Sequence, residues 1–98
     1  MSLKYVKVNY QGDVVIFPFP KLVQHSDFIR SMKIQPDDIL SAGFIRMNKN
    51  AKDNLILTCF GKSISLRKGS DEEDSRLATR QHYSEMDMDD FEYLWNEQ

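Results

Sequence analysis

Apolar and polar residues alternate from Tyr5 to Tyr10. Val6, Val8 and Tyr10 fall on one side, Lys7 and Asn9 on the other, the period-two signature of a half-buried strand. Gln11-Gly12-Asp13 interrupts the pattern as a turn, where Gly12 is free to take positive φ. Val14–Phe17 is apolar on both faces, which predicts a returning strand near the middle of a sheet. Pro18 and Pro20 lack the amide hydrogen a ladder needs and are expected to end it. The period then lengthens. Across Lys21–Lys33, Phe28, Ile29 and Met32 share a helical face, Ser26 is a candidate N-cap, and Leu22 extends the face if the helix starts at Pro20. That helix must stop before Pro36, which forces Gln35 out of the α region.

Strand patterning resumes at Ile39–Met47. Leu40, Ala42 and Phe44 lie on one face, and Ile39, Gly43, Ile45 and Met47 on the other. A glycine in mid-strand, Gly43, marks a bulge or a close approach by a neighbouring side chain. After a polar loop, Leu55–Phe60 predicts a fourth strand, Gly61-Lys62 a two-residue hairpin turn, and Ser63–Arg67 a fifth strand with Ile64 and Leu66 inward. Ser70-x-x-Glu73 reads as a capping box opening a helix with a narrow stripe, Leu77 and Ala78, that fades near Tyr83. The sum is an α+β domain over residues 1–83, with about five mostly antiparallel strands in the order β-β-α-β-β-β-α. Both helices are expected on one face of the sheet, with the other face covered by the remaining C-terminal segment or by a second copy.

That segment, residues 84–98, is a shift in composition: it holds six acids and no Lys or Arg. Met88, Phe91 and Trp95 fall at i, i+3 and i+7 with Tyr93 and Leu94 beside them, an amphipathic helix in waiting for an apolar surface. The formal net charge of −2 therefore hides a dipole. Residues 1–70 carry 11 Lys and Arg against 5 Asp and Glu, and residues 71–98 carry 2 against 10. No stretch of the 98 residues is apolar for long enough to span a membrane or to serve as a signal peptide. A single Cys forms no internal disulfide, which suits a reducing cytoplasm.

Candidate chemistry is sparse. Gly61-Lys62-Ser63 ends like a phosphate-binding loop, but Ile56 stands where that motif needs its first glycine, and a strand follows where it needs a helix. Cys59 alternates with Leu55 and Leu57 and reads as a small buried apolar residue rather than a nucleophile. His25 and His82 lack the paired spacing of a zinc site, and Asp87-x-Asp89-Asp90 lacks the glycine of a calcium loop. No catalytic residue, metal or cofactor is expected. An enzyme would need His25, Ser63 or Ser65 and a carboxylate brought into one cleft. Tyr5, Lys7, Arg46, Ser65 and Arg67 would have to converge on one face to bind nucleic acid; a solvated face is the plainer expectation.

Ser41-Ala42-Gly43-Phe44, the run from Cys59 to Leu66, and Ser70 with Glu73-Asp74 and Leu77 together resemble a set of small uncharacterised bacterial and phage proteins. In that set an S-A-G-F strand precedes a G-x-S-x-S-L hairpin and an acidic helix start. The resemblance spans about residues 4–83 and implies the domain boundary, with no activity attached. The function expected from the residues is a non-catalytic interaction module, an adaptor or inhibitor. It would bind a protein partner or a second copy through Met88, Phe91, Tyr93, Leu94 and Trp95. The alternative is a small binding protein for an anionic ligand, a nucleotide or nucleic acid, held by Lys62, Arg67 and Lys68.

Overall fold

A computed structural model describes residues 2–83. It is an α+β fold: strands β1 (Ser2–Tyr10) and β2 (Asp13–Phe19), helix α1 (His25–Met32), a 3-10 turn at Pro36–Asp38, strands β3 (Ile39–Lys49), β4 (Leu55–Phe60), β5 (Lys62–Ser63) and β6 (Lys68–Gly69), and helix α2 (Asp74–His82). The first four strands form one curled antiparallel sheet in the order β2-β1-β3-β4, and β5 and β6 pair only with each other.

β1, the strand with the clean alternation, is central, and β2 is an edge. The expectation of a central β2 fails because its second face is covered locally, by α2, rather than by strands on both sides. Edge position also explains why Pro18 sits inside β2, opposite Tyr5, instead of ending it. Val14, Ile16 and Pro18 turn their backbone groups away from β1, so the missing amide of Pro18 costs no ladder bond. Gln11 and Gly12 both take positive φ, the twist a two-residue hairpin requires.

The pleat sorts side chains onto two faces, and each face carries a helix. Val6, Val8, Phe19 and Ala42 pack with Ile29 and Ile34 under α1, joined by Leu66 of the β5–β6 turn. Tyr5, Ile16 and Ile45 pack with Ala78 of α2 on the other. The arrangement with both helices on one face is thus overturned: the sheet is a middle layer between them. α1 begins at His25 rather than near Lys21, and its N-cap, Gln24, gives no side-chain bond. Lys33 ends it in the left-handed region, where its amide bonds back to Ile29 and Arg30.

Two readings of residues 61–70 are also corrected. No hairpin joins β4 to a strand at 63–67. Ile64–Arg67 is a turn closed by the Arg67 amide on the Ile64 carbonyl, with Arg67 at positive φ and Ile64 at 85% exposure instead of inward. The expected capping box does not form: α2 opens after Glu73 with no side-chain cap, and the Asp71 amide donates to the Asp74 carboxylate while the Asp74 amide donates to the Asp71 carbonyl. Gly43 does mark a close approach, but of backbone: a Cβ there would collide with the Phe60 carbonyl oxygen. The irregularity of the β1–β3 ladder lies elsewhere, between Lys7 and Val8.

α2 is tied to both edges of the curled sheet. Ser75, Thr79 and Tyr83 stand four residues apart and bond Cys59, Leu57 and Leu55 of β4 in turn. The Ser75 hydroxyl accepts the Cys59 amide at 2.8 Å, the Thr79 hydroxyl accepts the Leu57 amide at 3.0 Å, and the Tyr83 hydroxyl donates to the Leu55 carbonyl at 2.9 Å. Four helical residues rise about 6 Å and two strand residues advance about 6.7 Å, so the periods match along the row. On the opposite edge Gln81 accepts from the Ile16 amide at 3.1 Å and donates to the Val14 carbonyl at 2.9 Å.

Candidate functional site

Two polar clusters emerge, one sealed and one open. The sealed cluster sits where α2 begins. Asp74 is fully buried; its carboxylate accepts the Tyr5 phenol at 2.5 Å and the Ser41 hydroxyl at 2.6 Å, and Lys7 lies 2.7 Å from its second oxygen. Lys7 also reaches Asp71 at 3.0 Å. Burial by itself would raise the Asp74 pKa, but the bonds from Lys7, Ser41, Tyr5 and the Asp71 amide outweigh it and hold the carboxyl below its usual range. Lys7 likewise overcomes its desolvation through Asp74 and Asp71 and is raised. Burial, then the Asp74 charge, pushes the Tyr5 phenol far up, so it remains a donor. The same two causes push the neighbouring Cys59 thiol up to about 12, which leaves it without thiolate character at neutral pH. This cluster is a structural clamp. Sequence reasoning missed it because Ser41 and Tyr5 lie 33 and 69 residues from the Asp74 they bond.

The open cluster is a groove of about 470 Å³ where the first turn of α1 meets Lys4 of β1, Phe44 of β3 and the β5–β6 hairpin. His25 and Ser63, both nearly buried, form part of its wall, with Lys62 and Ser65. His25 is fixed by its Nε2–H donating to the Gly43 carbonyl at 2.9 Å and by edge-on contact with Phe19 at 5.2 Å. Burial lowers its pKa, opposed by that carbonyl and reinforced by the charge of Lys4, so the ring is neutral at pH 7. The Ser65 hydroxyl accepts the Ser26 amide at 3.3 Å, and the Ser63 hydroxyl accepts the Leu66 amide at 3.2 Å. The first bond staples the hairpin to α1, and the second closes the hairpin's own turn. Lys4 donates to the Val23 carbonyl at 2.9 Å, and among the described residues no carboxylate lines the groove.

The structure therefore brings His25, Ser63 and Ser65 to one cleft, and none of the described residues that line it carries a carboxylate. Of the three predicted anion contacts only Lys62 lines the groove; Arg67 belongs to the turn after Ile64 and Lys68 to β6. Lys4, which the sequence does not single out, is brought in by its register opposite Phe44. The convergence considered for nucleic acid does not form. Tyr5 and Lys7 face α2, while Arg46 lies on the opposite face over the Phe60 ring at 5.3 Å. Among the described residues no three His, Cys, Asp or Glu gather as metal ligands, and no helix is long and apolar enough to cross a membrane. Met88, Phe91, Tyr93, Leu94 and Trp95 lie outside the described residues. No protein-family model, curated protein or solved structure matches this chain, so the site is argued from its own chemistry.

Proposed function

We propose that the chain is a non-catalytic binding module whose groove takes a small organic anion, a carboxylate or phosphate on an apolar body. The observation that carries this reading is the composition of the wall. Lys4 and Lys62 supply positive charge with no acid among the described lining residues, and Phe44 and Ile64 supply apolar surface beside it. The first turn of α1 adds the positive end of a helix dipole on the same side. His25 forms part of the wall, held there by its Nε2–H bond to the Gly43 carbonyl.

Calorimetric titration tests the proposal, with adenosine monophosphate as the nucleotide probe and anilinonaphthalene sulfonate as an aromatic anion. Lys62→Ala should weaken binding of either probe several-fold, and Lys68→Ala, outside the groove, should leave it unchanged. Equal loss from both substitutions would mean diffuse charge attraction, and absence of binding at millimolar probe would end the reading.

A further inference from the structure

We infer that residues 84–98 fold back in the same molecule and seat their aromatic face in an apolar groove at the C-terminal end of α2. This inference is independent of the anion groove, which lies beyond the other face of the sheet. Two adjoining hollows of about 250 and 140 Å³ share Pro18, Ile45, Leu57 and His82 as walls. The smaller continues over Leu3, Met47 and Leu55, and Met47 is left 47% exposed there. Apolar surface in a hollow is what an amphipathic segment needs in order to fold against a body.

Three observations choose the occupant. The first is position. His82 lines both hollows and Tyr83 is pinned to Leu55, so the chain leaves α2 at the groove. Met88 lies five residues beyond Tyr83, within about 17 Å of it even fully extended. The second is chemistry. Met88, Phe91 and Trp95 repeat at helical spacing in a segment whose other side is acidic. The third is charge. Residues 1–83 hold all 13 Lys and Arg against nine Asp and Glu, and residues 84–98 hold six acids and no Lys or Arg, so segment and body attract. A tether this short gives an effective concentration on the order of millimolar, which favours docking within one chain over docking between chains.

Trp95 is the single tryptophan and reports the event directly. In the full-length chain its emission should lie to the blue of the urea-unfolded chain, with acrylamide quenching several-fold weaker and independent of protein concentration. Met47→Glu places a repelling charge in the groove and should shift the emission to the red while far-UV circular dichroism is retained. Phe91→Ala alters only the segment and should do the same, which keeps the test decisive if Met47→Glu unfolds the body. Ile64→Glu, by the anion groove, should change nothing. A solvent-exposed Trp95 in the intact chain, or a blue emission indifferent to Phe91→Ala, would overturn the inference. A blue emission lost on dilution would overturn it too, assigning the groove to a second copy, and one regained only with a foreign protein would assign the segment to a partner.

Discussion

The two faces of the sheet hold their helices by different physics. Under α1 the contacts are apolar and aromatic: Phe19 stacks on Phe28 at 4.3 Å, Tyr10 meets Phe17 edge-on at 5.4 Å, and a neutral histidine supplies the polar anchor. Under α2 the contacts are directional: a buried carboxylate with four donors, a row of hydroxyls on one strand edge and a glutamine on the other. Area holds the first helix, and its register is tolerant of small shifts. Geometry holds the second, and it fails where one partner is removed, because the other is left buried and unpaired.

The largest expected break is on the α2 face. Asp74→Ala leaves Lys7 with Asp71 alone and strands two buried hydroxyls, and should lower stability by about 3–5 kcal/mol in urea denaturation. Next, Ile29→Ala under α1 should cost about 2–4 kcal/mol and leave the α2 amides protected from hydrogen exchange. Thr79→Val keeps the shape but removes the hydroxyl that meets the Leu57 amide at 3.0 Å; about 1–3 kcal/mol is expected, with faster exchange along β4. Gly43→Ala acts on both faces at once, since it pushes β3 from the Phe60 carbonyl and moves the acceptor of His25; a loss of about 1–3 kcal/mol is expected.

The smallest effect is the pH dependence, and it separates the faces. His25 has a depressed pKa, so its contribution is complete above the unfolded value of about 6.5 and declines as pH falls below it. The Asp74 carboxyl is also depressed, so its contribution is complete above the unfolded value of about 3.9 and is lost as pH falls through the lower folded value. Amide exchange at pH 5 should therefore show α1 loosened while α2 is still held, and His25→Gln should abolish that difference.

Much of the frame was legible in the sequence. Alternation placed β1, β3 and β4, and Pro36 marked the limit of α1, because these are local signals. The misplacement of β2 has a physical reason. An edge strand covered by a helix is apolar on both sides and patterns like a central one. Lys7 read as solvated because its partner lies 67 residues away, and no period connects Lys7 to Asp74. One signal was present and unread: hydroxyls at Ser75, Thr79 and Tyr83, spaced for one helix face, announce an edge-capping helix rather than a solvated one. For the groove, Lys62 was singled out on composition, while Lys4 needed the β1–β3 register to be seen.

The bridging of both sheet edges by α2 has a consequence for synthesis. The strands emerge from the ribosome before the helix does, and until Gln81 and the hydroxyl row arrive, β2 and β4 present open backbone to any passing chain. The last turns of this domain thus act as its own chaperone, and a transcript cut short before Asp74 would yield a product prone to strand-to-strand aggregation.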